Sequence, residues 1–305
     1  MRIAQPPLVL LAFGAVDEKL ALVRATPPLA PIVSYRRNRY STDVTCLHLK
    51  PDGNLLVGFG DWSLNGGKVP ILEVDSKTGE VRSQSEPLRT ENISIIKDTS
   101  GGLVVPYTDP TANTHEDTPA GRKWRIFARQ KPDGSWEESG DFKQAIHAFD
   151  AVELDGELFF CGSIYPGYAA IFTPGGNTTA GKIVASEQEQ GDYHRFYRFY
   201  PHTEKSVRVY NPGTGRAYIF DGNDLTPDET GWAPSNGALY CPSTGYQLFI
   251  GPLNWRIYTP EGVLFWDAPA PVSHIPTAFT CAPAGKTLWV GHKDGSLSCY
   301  YMERR

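Results

Sequence analysis

The sequence predicts an all-β chain folded as a β-propeller of six four-stranded blades, with its N-terminal segment closing the last blade. Three observations carry this. Thirty Gly and 25 Pro are spread through 305 residues, and no window of a dozen residues keeps a helical period with caps at both ends. An apolar strand, a Gly-containing turn and a second apolar strand recur about every 40–55 residues, close to the period of propeller repeats. Further strand-like runs follow each pair, and four antiparallel strands make a blade.

The clearest copy of the unit is residues 144–165. Residues 146–152 alternate, Asp155-Gly156 is a pair suited to a tight hairpin turn, and residues 158–161 are continuously apolar, which predicts burial on both faces. Before it stand residues 44–49 and 55–58 around Asp52-Gly53, then 93–96 and 103–105 around Gly101-Gly102. After it stand residues 196–200 and 207–210 around Glu204-Lys205, then 238–241 and 248–251 around Gly245, then 277–280 and 288–291 around Gly285. Third strands are expected at 71–75, 124–127, 170–172, 218–220 and 255–258, each before a turn, and fourth strands at 81–83 and 263–265.

The sixth copy stops at residues 296–301, with no fourth strand before Arg305. That would leave an open sheet edge, so a strand from the N-terminus must fill it. Residues 8–13, 20–24 and 32–35 offer three, and a seventh blade within residues 1–39 is the alternative. Residues 1–39 are thus read as closing strand and connector, stiffened by Pro27-Pro28 and Pro31, and residues 40–305 as the propeller. Together they form a single domain, because blades bury their faces only against neighbours.

Composition narrows the function. The chain carries 7 Trp, 15 Tyr and 14 Phe, ample for a large core, and a net charge of −5. Its densest basic run, Arg36-Arg37-Asn38-Arg39, is too short for a phosphate-tracking face, so no nucleic-acid partner is expected. The apolar run at residues 8–16 is too short to span a membrane, is interrupted by Pro6-Pro7, and reads as a strand rather than a signal sequence. Cys46, Cys161, Cys241, Cys281 and Cys299 are odd in number and widely spaced, which reads as reduced cysteines packed as small hydrophobes. No metal-ligand spacing, nucleophile elbow or phosphate-cradling loop is present, so no cofactor, metal or catalytic residue is assigned.

Loops between second and third strands share one face of a propeller with the loops between blades. That face collects Asp61, Trp62 and Asn65, then Tyr107 and Asp109 at the start of the longest insertion, and Ser163, Tyr165 and His292. His194 and Arg195 lie on the lead-in to the fourth copy. The set is acidic and aromatic and suits a glycan or protein ligand. Capping of backbone N–H groups is the structural reading of Asp61 and Asp109. His147 and Asp150, three apart on a strand, are placed on opposite faces, so no dyad is expected. In residues 194–200, alternation puts Arg195, Tyr197 and Phe199 on one face and His194, Phe196, Arg198 and Tyr200 on the other.

Several runs in order carry a resemblance. They are Gly60-Asp61-Trp62 with Asn65-Gly66-Gly67; Val105-Pro106 leading to Asp109-Pro110; His147-Ala148-Phe149-Asp150 before a hairpin ending in Gly162-Ser163; and Gly191-Asp192 followed by Arg195-Phe196-Tyr197. Over roughly residues 43–222 the chain resembles minor tail proteins of tailed phages that infect actinobacteria. Related sequences often carry a sialidase-like Asp-box turn, of which Asp133-Gly134-Ser135-Trp136 and Pro174-Gly175-Gly176 keep fragments. A sialidase arginine triad is not assignable in this chain. The resemblance implies a non-enzymatic virion component, made in the host cytoplasm and placed at the tail tip or on a fibre. Its partners would be other tail proteins in a symmetric multi-copy assembly, and an envelope glycan or surface protein of the host. The alternatives are a propeller that binds or hydrolyses envelope glycans, with carboxylates from Asp61, Asp109 and Asp141, and a cellular interaction scaffold.

Overall fold

The computed structural model describes residues 18–27, 29, 43–60, 69–88, 90, 93–106, 126–139, 146–164, 167–174, 181–187, 194–234, 238–241, 244–271, 276–282 and 286–304. Among these residues the regular structure is all β: six four-stranded antiparallel sheets, the blades of one ring, and no helix. Blade one is β2 (Val44–Leu49), β3 (Leu55–Phe59), β4 (Leu72–Val74) and β5 (Val81–Gln84). Blade two is β6 (Lys97–Thr99), β7 (Gly102–Pro106), β8 (Phe127–Gln130) and β9 (Trp136–Ser139). Blade three is β10 (Ile146–Leu154), β11 (Glu157–Ile164), β12 (Tyr168–Thr173) and β13 (Lys182–Ser186). Blade four is β14 (Phe199–Thr203), β15 (Ser206–Asn211), β16 (Arg216–Phe220) and β17 (Leu225–Pro227). Blade five is β18 (Ala238–Tyr240), β19 (Gln247–Ile250), β20 (Asn254–Tyr258) and β21 (Leu264–Pro269).

Blade six is β22 (Pro276–Ala282), β23 (Thr287–His292), β24 (Leu297–Arg304) and, from the other end of the chain, β1 (Glu18–Ala25). β1 pairs with β24 from Glu18↔Arg304 to Ala25↔Ser298. The closing strand is therefore the segment around residues 20–24, and the propeller has six blades rather than seven. Segments 8–13 and 32–35 lie outside the described residues. Closure continues past the strand: the Thr26 N–H donates to Leu297 O at 2.9 Å, the Leu297 N–H donates to Thr26 Oγ1 at 3.0 Å, and the Leu29 N–H donates to Gly295 O at 3.0 Å. Arg24 Nη1 donates to Ser76 O at 2.7 Å and ties the closing strand to blade one.

Three of the innermost strands share a β-bulge near their start, with Thr45, Phe149 and Thr277 as the extra residues. A bulge leaves the extra residue outside the ladder and bends the strand. Here two of the freed residues reach across a seam. Thr45 Oγ1 donates to Ile93 O at 2.8 Å, and Thr277 Oγ1 donates to Val44 O at 2.7 Å. Opposite each bulge the second strand carries Gly58, Gly162 or Gly291. A Cβ there would lie 2.6 Å from Ile93 Cγ2, 1.7 Å from His147 O or 2.3 Å from Val44 Cγ1 respectively, so no side chain fits. The glycine that ends these sequence copies is thus a packing requirement, of the seam at Gly58 and Gly291 and of the β10–β11 ladder at Gly162.

Two strand expectations shift. Residues 93–96 form no ladder; Ile93, Ile95 and Ile96 are buried, and the Ile93 N–H donates to Phe59 O at 3.1 Å. Their apolar run serves the contact with blade one rather than pairing in blade two. Residues 196–198 likewise precede β14, and the Phe196 N–H donates to Gly162 O at 3.1 Å.

The core lies in the seams. One cluster joins blades six, one and two, with Trp289, Leu297, Val44, Leu47, Ile93 and Val105; others join blades two and three, three and four, and five and six. Blades three and four hold Phe159, Phe160, Phe172, Phe196, Phe199 and Phe220, all essentially buried. Burying each is worth roughly 2 kcal/mol or more, which makes this part of the ring a rigid base for whatever its channel end carries. At the seam of blades four and five the described ring contacts are Tyr200 with Trp232 at 5.0 Å and with Tyr240 at 5.3 Å.

Candidate functional site

The innermost strands bring a polar cluster to the central channel. Asp150, fully buried, follows the bulge of β10; its Oδ1 accepts the Ala151 N–H at 2.7 Å and its Oδ2 accepts the Phe199 N–H at 2.8 Å. The carboxylate thereby staples blade three to the first residue of β14. Beside it, Arg198 Nη1 donates to Phe149 O and to Tyr197 O, both at 3.0 Å. Two carbonyls on one nitrogen fix the plane of the guanidinium. Its charge acts on Cys46 of blade one, Cys161 of blade three, Tyr200 of blade four and Tyr240 of blade five, so it lies where the blades converge. Cys241 Sγ faces Thr280 Oγ1 at 3.6 Å and joins blades five and six at the same level.

Around this cluster runs a belt of rings and cations. His147 stacks on Phe149 with centroids 6.4 Å apart, Phe149 meets Tyr197 at 5.1 Å, and Arg195 Cζ sits 5.5 Å from the Tyr197 centroid. Tyr197 is exposed. On the far side of Arg198, Tyr200 meets Trp232, whose ring carries Arg208 Cζ at 5.3 Å, and Arg208 Nε donates to Asp228 Oδ2 at 2.7 Å. Tyr240 Oη donates to Phe199 O at 3.3 Å. The exposed part of the belt is the Tyr197 ring, with the other rings and guanidinium groups half-buried behind it, an arrangement suited to stacking and to negative charge.

His147 and the shifted thiols and phenols here are held in neutral forms. Burial, aided by the Arg195 charge, pulls His147 down to about 4. Burial pushes the Cys46 and Cys281 thiols and the Tyr200 hydroxyl up to about 12, Cys299 to about 11, and also raises Cys161 and Tyr240. All five cysteines are free and buried, as the sequence implies. A thiol so shifted supplies no thiolate nucleophile near neutral pH. Among the described residues no group of three or more His, Cys, Asp or Glu could hold a metal ion, and no helix is long and apolar enough to cross a membrane.

The bulge also corrects the reading of His147 and Asp150. Their ladder partners are Ser163 and Cys161, two apart on β11, so the register returns both residues to one face. They form no dyad all the same: among the described residues no hydrogen bond or ion pair joins them, Asp150 caps the Ala151 and Phe199 N–H groups, and the charge acting on His147 is that of Arg195.

Of the residues singled out from sequence, Asp61, Trp62, Asn65, Tyr107, Asp109 and Tyr165, with Asp141, lie outside the described residues. Ser163 is buried at the end of β11 opposite His147, and Arg195 joins it there through its charge on His147; His194 is half-buried on the same lead-in. His292 leaves the exposed set: it is fully buried, with Nε2 2.8 Å from Ser298 Oγ and its backbone N–H on Ser296 O. Alternation in residues 194–200 holds for Arg195 and Tyr197 and fails beyond them. Phe196 and Phe199 are both core, because residues 194–198 are not a regular strand. The described part of the face is accordingly cationic and aromatic rather than acidic and aromatic. Arg198, Tyr200, Trp232 and Tyr240 were not legible as a set; a Trp between Gly231 and Ala233-Pro234 was the signal for one of them.

No protein-family model matches the chain, and no curated protein does. Among solved structures, the chain is similar to the β-propeller domain of Cps50 (Swd1) from Myceliophteria thermophila, at 14% identity and a TM-score of 0.48, over 93% of this chain and 100% of that one. It is also similar to a chain of a mitotic checkpoint complex, at 13% identity and a TM-score of 0.41, over 85% of this chain and 74% of that one. The propeller assignment rests on the six sheets of this chain itself.

Proposed function

We propose that this propeller is a non-enzymatic structural component of a phage tail, at the tail tip or on a fibre, serving assembly and host-surface attachment. In this reading it works in the virion as one copy in a symmetric assembly. One face contacts neighbouring tail proteins, and the face with the channel mouth and the long insertion contacts the host envelope. The ordered motifs over residues 43–222 support the phage-tail part. One observation supports binding over catalysis: the channel groups that could do chemistry are already taken up. Asp150 caps two backbone amides, His147 is held neutral, and the Cys46 and Cys161 thiols stay protonated. What faces outward is stacking surface and fixed positive charge.

Mass spectrometry of particles purified from a lysate of the strain carrying the gene tests it. Peptides of this chain are expected at a fixed ratio to the major tail protein, and particles without the chain would overturn the reading. Incubation with cell-wall polysaccharide is expected to give no turnover. Release of sugars that Asp61→Asn and Asp109→Asn abolish would establish the hydrolase alternative instead.

A further inference from the structure

The guanidinium at the centre of the ring is only partly used. Both of its hydrogen bonds to described residues leave from Nη1. Nε and Nη2 have no such bond, and neither is sealed from solvent among the buried unpartnered atoms. These two nitrogens form one side of the guanidinium fork, the side that matches two oxygens of a carboxylate or phosphate. The Tyr200 hydroxyl, within electrostatic reach of Arg198, likewise has no hydrogen-bond partner among the described residues. Among the described residues, the charges that reach this space are those of Arg198, Asp150 and, toward Cys161, Lys97. Asp150 is buried with its oxygens on the Ala151 and Phe199 N–H groups, and among the described residues no ion pair joins it to Arg198 and no hydrogen bond joins it to Tyr200. Tyr197, whose carbonyl takes one of the Arg198 hydrogen bonds, offers an exposed ring in contact with Phe149 and Arg195.

We propose that the channel mouth at blades three to five binds an acidic saccharide, its oxyanion on Nε and Nη2 of Arg198 with Tyr200 Oη as third donor and its ring against Tyr197. This rests on the attachment reading above and gives that face a ligand class. A planar fork with a neighbouring hydroxyl donor recognises an oxyanion by geometry, and an exposed aromatic face stacks on a sugar ring whatever its hydroxyl pattern. A neutral sugar would satisfy the ring and leave the three donors unpaired.

Calorimetric titration of the full chain with D-glucuronate, glucose 6-phosphate and D-glucose tests this. At least one charged sugar is expected to bind, at least about tenfold tighter than glucose, the scale of one charge-assisted fork. Glucuronate alone would mark the oxyanion as carboxylate, and both would mark it as either type. Arg198→Gln should lose about tenfold or more and Arg198→Lys an intermediate amount, since Lys keeps the charge without the fork. Arg198 also ties two carbonyls, so Tyr200→Phe is the cleaner variant: it keeps the ring contacts and should weaken binding about fivefold with unfolding unchanged. Glucose binding as tightly as glucuronate, no binding of either charged sugar, or Tyr200→Phe and Arg198→Gln binding like the parent chain would each overturn the proposal. None of those results bears on whether the chain is in the virion, and its absence from virions would leave a measured saccharide site standing.

Discussion

Gly162 shows how tightly a single residue is specified here. An added Cβ would lie 1.7 Å from His147 O, a backbone atom that cannot move without breaking the β10–β11 ladder. Gly162→Ala should therefore cost about 3 kcal/mol or more in urea unfolding. Gly134→Ala, with nothing within 4 Å but a φ of +85°, should cost only about 1 kcal/mol from backbone strain. His147 gives a second prediction, through pH. Its folded value near 4 lies below the ordinary 6.5, so at neutral pH it is uncharged in both states. As pH falls below 6.5 the unfolded chain takes up the proton first, and stability is lost until about pH 4, by roughly 3 kcal/mol in total. His147→Phe should flatten much of that acid limb in denaturation measured from pH 7 to 4. Some slope should remain, because burial also lowers His48, opposed by Asp98 with its Oδ2 at 3.5 Å. The repeat-ending glycines were visible in the sequence, but their reason was not, since it depends on a bulge that apolar alternation does not encode. The same bulge defeated the face assignment of His147 and Asp150.

At the scale of elements, the ring depends on contacts that join blades. Asp150→Asn keeps one acceptor and turns an amide NH₂ toward a backbone N–H, either that of Ala151 or that of Phe199. It should cost about 2 kcal/mol, read as a lowered urea midpoint with an unchanged slope. Thr26→Val removes the acceptor of the buried Leu297 N–H and should cost about 1–2 kcal/mol. Deleting residues 1–26 is the harsher test: the open edge of β24 should make the chain sediment as larger aggregates than the full chain does under the same conditions. Most strands could be read from the sequence because each copy pairs locally through a turn of legible chemistry. Asp155 and Gly156 both have the positive φ of the expected hairpin turn, and Asp133 Oδ1 accepts the Ser135 N–H and Oγ–H in the turn before β9. Residues 93–96 read as a strand because burial against the preceding blade gives the same apolar run as strand pairing, and residues 196–198 because an alternating aromatic lead-in with Phe196 buried against blade three looks the same.

For the whole molecule, the missing fourth strand of the last copy was the most informative feature of the sequence. A closed ring requires that strand, and the N-terminus supplies it as β1. The candidate site was much less legible, because its parts come from different blades. Arg198 is oriented by a carbonyl of blade three, Tyr200 packs on a Trp that follows β17, and Tyr240 belongs to β18. Linear spacing carries no trace of that convergence. A chain with net charge −5 that gathers Arg195 and Arg198 with aromatic rings at the lead-in to β14 has there what the proposed contact face would need. Cryo-electron microscopy of purified particles tests that claim most directly. Six-bladed density is expected in the tail, fitted by this chain in symmetric copies, with the Arg198 mouth directed away from neighbouring tail proteins. Particles whose tails are fully accounted for without this chain would contradict it.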